Sequence, residues 1–206
     1  VVAIIGIMIS IAVPLIGGYP EGRQLSSEAD NVESQMAYAR LVAVSSGKPV
    51  ELRFYLEPIS ETKSLGNDEY FRSSQVMITD EEGLFRPDAR VQRFEGKTII
   101  LDDPTYSSMV AGEPEGPDPN ASKVRNRAVS QRKYKAIQFL PDGSTNLGRG
   151  ADEYWTLTLV NWNPTLSSSA DGGGDVSIGP DSKFPNFVTI QIDPFTAKVR
   201  RYEPGR

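Results

Sequence analysis

The chain has 206 residues, 24% of them charged, and a formal net charge of −5 at neutral pH. That balance argues against wholesale nucleic-acid binding and suits an ordinary soluble surface. It contains no Cys and no His, which removes disulfides, Ser-His and Cys-His nucleophile pairs and the usual zinc and haem sites. No residue pair suggests catalysis, so a protein that is not an enzyme is expected.

The first twenty residues, VVAIIGIMISIAVPLIGGYP, carry no charge, and the first charged side chain is Glu21. A helix that crosses a bilayer needs about 20 apolar residues, whereas the apolar core of a signal peptide is only about 7–15 long, so this run reads as a membrane span. No initiator Met, basic flank or cleavage site stands ahead of Val1, and a processed or truncated start is expected. Between Pro14 and Gly22 the segment PLIGGYPEG concentrates Pro and Gly. Each of these weakens helical hydrogen bonding or adds backbone freedom, which predicts a helix broken near 14–22, either kinked or unwound. From Leu25 the apolar positions Leu25, Ala29, Val32, Met36, Ala39 and Ala43 alternate steps of four and three, the spacing of one helix face. Gly47 fits a left-handed cap and Pro49 cannot continue the helix, which places its end near Ser46.

The N-terminal stretch VVAIIGIMISIAVP resembles the first helix of type IV pilins and type II secretion pseudopilins, with Gly6 and Pro14 matching the family's Gly and Pro. In that register Val1 falls about eight residues inside the mature protein, so the family's methylated N-terminal residue and fifth-position Glu precede it. An ordinary transmembrane anchor is the alternative reading of the same run. The passage ARLVAVSSGKPVELRF and the C-terminal IQFLPDGSTN, YWTLTLV and VTIQIDPFTAKVRRY are similar to the H-type pseudopilin and FimT-like minor pilins. The resemblance covers most of residues 1–56 and 134–202, and the middle of the chain does not match it.

Beyond the helix, PVELRFYLE alternates Val50, Leu52, Phe54 and Leu56 with Glu51, Arg53, Tyr55 and Glu57, the pattern of a half-buried strand. Residues 58–74 read as a polar loop. SQVMITD, RVQRF and KTIIL read as short strands separated by the turns EEGLFRPD and EG. YKAIQFL and YWTLTLVNW read as two more strands, and FVTIQI and AKVRRY as a hairpin around DPFT. Exposed loops are expected near 102–122 and 166–183. Two units result: residues 1–47 as an apolar, then amphipathic helix, and residues 48–206 as an antiparallel β domain. What the resemblance implies is an α+β, pilin-like fold with a long N-terminal helix packed on an antiparallel sheet.

Three sets of side chains stand out as candidate sites. Residues 102–118 contain Asp102, Asp103, Glu113, Glu115 and Asp118 and no base, while residues 123–135 contain Lys123, Arg125, Arg127, Arg132, Lys133 and Lys135 and no acid. These runs either neutralise each other within one molecule or meet between neighbouring subunits. Lys198, Arg200, Arg201 and Arg206 form a basic C-terminus around Tyr202 that can hold phosphates, or can simply guard a strand edge. Asp171, Asp175 and Asp181 on a Gly-rich loop are weak candidates for calcium ligands, and a flexible surface loop is the plainer reading. No other cofactor is expected.

The resemblance also implies a function. The expected protein is a bacterial filament subunit, a pilin or pseudopilin of a type IV pilus-like or type II secretion machine, held first in the inner membrane. Inner-membrane assembly machinery then transfers it to a periplasmic or extracellular filament made of copies of itself or related pilins. The apolar helix, with Ile4, Gly6, Ile7, Ile11 and Pro14, would form the filament core, because apolar residues that leave lipid need an equally dry surface. The alternative is a FimT-like minor pilin that binds DNA through its basic C-terminus.

Overall fold

The computed structural model describes residues 19–58, 69–117, 132–148, 154–162 and 184–204. Among the described residues one α-helix, α1 (Tyr19–Ser46), is followed by nine strands: β1 (Val50–Pro58), β2 (Glu69–Thr79), β3 (Phe85–Pro87), β4 (Gln92–Arg93), β5 (Thr98–Ile100), β6 (Tyr134–Phe139), β7 (Trp155–Asn161), β8 (Phe187–Ile192) and β9 (Val199–Tyr202). All pairings are antiparallel within one sheet of order β6-β1-β2-β5-β7-β8-β9, and β3 and β4 add to the same long edge of β2.

Apolar periodicity alone decides how α1 lies. Leu25, Ala29, Val32, Met36, Ala39 and Ala43 are all buried, and together they seat the helix on Leu52, Phe54, Phe139, Leu157, Leu159 and Ile190 of the sheet. Four of the six contact residues on the helix are Ala or Val, which brings its axis close to the strands. The helix ends where a left-handed residue is needed: Gly47 has φ 66° and its N–H donates 3.1 Å to the Ala43 carbonyl. Residues 19–22 are helical despite Pro20 and Gly22, so that part of the expected break does not occur. A local penalty of about 1 kcal/mol for Gly is small beside the packing of six buried positions on the same helix. Residues 14–18 lie outside the described residues.

The expected α+β, pilin-like fold is corrected. Among the described residues one helix stands against a nine-stranded antiparallel sheet, a mostly-β architecture closer to a β-sandwich. The physical reason is that both faces of the sheet are buried. On β5, Ile100 joins the core under α1 while Ile99 and Leu101 join a second apolar cluster with Val160 and Phe184 on the opposite face. Strand β1 departs from its half-buried reading in the same way, since Glu51, Arg53 and Glu57 are as buried as the apolar residues between them. Part of the expected 58–74 loop is strand, because β2 begins at Glu69, and FRP in the expected turn pairs with β2 as β3. Hydropathy misses the first because Arg72, Ser73 and Ser74, buried on β2, are polar, and the second because the three residues of β3 are only half-buried and too few to show alternation.

Candidate functional site

Two features on opposite sides of the sheet hold what the fold does not spend on itself. The first is the outward face of α1. Its inner stripe is used up against the sheet, yet Tyr38, Leu41 and Val44 on the other side remain exposed, Leu41 by 66%. The C-terminal residues Ala197 and Val199 run beside this face, and a groove of about 880 Å³ separates them from Glu33, Ala37, Leu41 and Val44. Its floor and one wall are apolar. Charge is distributed along it: Asp30 and Glu33 line one stretch of the helix, and Arg40 and Lys198 also line the groove.

Arg201 ties β9 to the acidic stretch. Its guanidinium donates to the carboxylates of Asp30 and Glu203 and, at 3.3 Å, to the Ser26 carbonyl, and Ser26 Oγ donates to Glu203 at 2.8 Å. Glu33 stands next to this group without joining it. Burial pushes its carboxyl above the ordinary carboxylate range, Arg201 pulls the other way, and Asp30 and Glu203 add to the rise. Its Oε1 is shut off from solvent and has no hydrogen-bond partner among the described residues.

The second feature is a charge cluster on the face of the sheet turned away from α1. Glu57 is buried, its side chain 3% exposed, and accepts from three groups: Ser73 Oγ, Arg132 and, at 3.0 Å, Arg93 Nε. The two arginine side chains keep 47% and 35% of their surface in solvent. A β-bulge where Tyr55 and Leu56 of β1 face Ser73 and Phe71 of β2 makes Arg72 the extra residue beside this carboxylate. Burial lowers the Arg72 guanidinium's affinity for its proton, nearby Arg93 lowers it further, and Glu57 opposes both. One step along β1, Glu51 pairs with Arg53 at 2.7 Å, and the Arg53 guanidinium lies 4.4 Å from the centre of the Tyr134 ring.

These side chains were invisible to sequence reasoning. Glu57, Arg93 and Glu33 each sit at positions that hydropathy assigns to solvent, and only the pairing of β2 with β1 and β4, and of β1 with β6, brings Ser73, Arg93 and Arg132 to Glu57. Of the residues singled out from sequence, Arg201 is committed to Asp30 and Glu203, whereas Lys198 and Arg200 are exposed. In the oppositely charged runs, Lys135 acts on the Asp102 carboxyl within one molecule, and Glu115 exchanges both backbone hydrogen bonds with Tyr134. Asp103 caps its own turn by accepting from Thr105 N at 2.8 Å, Arg132 pairs with Glu57 while keeping part of its guanidinium side chain in solvent, and Glu113 and Lys133 are exposed. Asp118, Lys123, Arg125 and Arg127 lie outside the described residues, as do Ile4, Gly6, Ile7, Ile11 and Pro14, the calcium candidates Asp171, Asp175 and Asp181, and Arg206. Among the described residues no three acidic side chains stand close enough to hold a metal, and no helix is long and apolar enough to cross a membrane.

No protein-family model, curated protein or solved structure matches this chain.

Proposed function

We propose that the protein is a structural filament subunit, of the pilin or pseudopilin kind, that assembles through its apolar N-terminal segment. One observation carries the reading. A charge-free run of twenty residues leads directly into a helix whose inner face is fully occupied by its own sheet and whose outer face still exposes Tyr38, Leu41 and Val44. An apolar segment of this length is costly in water and is stable only in lipid or against other apolar surface. Copies of the same segment supply such a surface once the subunit leaves the membrane, and Gly6 permits close approach of neighbouring chains. The inner membrane is the site before assembly, and a periplasmic or extracellular filament is the site after it.

The test is a substitution inside that segment. Ile7→Asp places a charge where apolar contact is required, and it should abolish filaments sheared from producing cells while the domain beyond residue 48 keeps its wild-type melting temperature. Filament yield equal to wild type would overturn the reading.

A further inference from the structure

We infer that, in the assembled form, Arg93 and Arg132 of one copy dock into the acidic end of the helix-side groove of the next copy, at Asp30 and Glu33. This rests on the filament reading above and names the contact between its globular domains.

Placement comes first. Gln92 bonds Gln35 of α1 at 2.6 Å, and Arg93, the next residue in the strand, bonds Glu57 on the other side of the sheet. The arginine cluster and the groove are therefore on opposite sides of the domain. Unlike patches on opposite sides of one molecule satisfy each other only head to tail, in a contact that does not close on itself, and such a contact propagates as a filament.

The charge count on each side is unbalanced. Arg93 and Arg132 share the single carboxylate of Glu57, with the Arg72 guanidinium close enough to repel Arg93. Each guanidinium has five N–H donors, more than the Glu57 carboxylate and, for Arg93, the Pro58 carbonyl at 3.5 Å can take. At the Asp30–Glu33 end of the groove the ratio among the described residues is reversed, with Asp30, Glu33 and Glu203 gathered about Arg201. Glu33 is the decisive residue: its side chain lines the groove and is only half-buried, its Oε1 has no partner in the lone subunit, and a small turn of the carboxylate presents it to a donor from outside. A guanidinium supplies two parallel donors, and its aliphatic stem covers the apolar wall at Ala37 and Leu41. Arg40 and Lys198, also on the groove's lining, repel an incoming guanidinium and so fix where along the helix it docks.

The absence of Cys from the chain makes a direct test simple. Ser34→Cys lies in the groove and Lys133→Cys lies beside Arg132, both at exposed positions that leave the charged groups intact. Filaments of the double variant treated with a short bis-maleimide should give a ladder of covalent multimers, and each single variant should remain monomeric. Intact filaments that yield no ladder overturn the docking while leaving the filament reading standing, and so would covalent dimers in either single variant, where one thiol per subunit allows no longer product. Failure of the unsubstituted protein to form filaments overturns both. As a second measurement, Glu33→Arg should lower filament yield by about tenfold, the equivalent of about 1.4 kcal/mol at the contact. Wild-type yield from a variant that melts like wild type also rejects the docking, with acidic side chains elsewhere then the partners of the arginines.

Discussion

Glu57 shows how a residue that looks solvent-facing can hold a fold together. Its carboxylate is taken from water, and Ser73, Arg93 and Arg132 replace the lost hydration with charge-assisted hydrogen bonds. Such a cluster adds little when whole, because desolvation offsets attraction, but it is costly to break because the remaining members lose their partner. Glu57→Ala should therefore destabilise the protein by about 3 kcal/mol in urea titrations, at the low end of the range for buried pairs since both arginines reach solvent. Arg93→Ala should cost under about 1 kcal/mol, because Glu57 keeps Arg132 and Ser73. Equal losses for the two variants would show that the carboxylate is not the hub. Nothing in the alternation of PVELRFYLE reveals this, since Glu57 occupies the same phase as an exposed residue would.

At the scale of elements, legibility follows from what kind of interaction buries a segment. The helix could be read residue by residue, because its six inward positions are apolar and repeat at one spacing, and the Gly47 stop needs only a left-handed backbone. Strands β6, β7, β8 and β9 were readable for the same reason. What could not be read is burial by polar partners: the start of β2 at Glu69 and the second face of β1 depend on pairing between strands, and FRP, a three-residue strand closing a local hairpin with Met77–Thr79, is too short to show a pattern. The two faces of α1 make the distinction measurable. Leu25 is fully buried and Leu25→Ala should cost about 3 kcal/mol of subunit stability. Leu41 is mostly exposed, so Leu41→Ala should change that stability by less than about 0.5 kcal/mol while reducing filament yield. A Leu41→Ala variant with lowered stability and normal filaments would mean that the outer face serves the subunit and not its assembly.

For the molecule as a whole, the useful question is why Glu33 is charged at all. The groove raises its carboxyl above the ordinary range, chiefly by burial, so the folded state holds the Glu33 proton more tightly than the unfolded chain does. The sign of the linkage follows. A raised carboxyl favours the fold below the unfolded value of about 4.3, and that advantage is lost as pH rises through the folded value. At neutral pH the charged Glu33 is therefore a burden on the isolated subunit. Glu33→Gln removes the charge with little change in shape, and it should stabilise the subunit at pH 7 by less than about 1 kcal/mol, because much of the side chain remains open to water. The difference between variant and wild type should shrink towards zero as pH falls well below the unfolded value, where the Glu33 carboxyl is protonated in both states. If Arg93 and Arg132 of a neighbour dock here, the same substitution must weaken assembly at pH 7, since a neutral amide offers no charge to a guanidinium. Opposite effects on melting temperature and filament yield are the expected outcome. A variant that gains stability and assembles as well as wild type would leave the buried charge with no role in the filament.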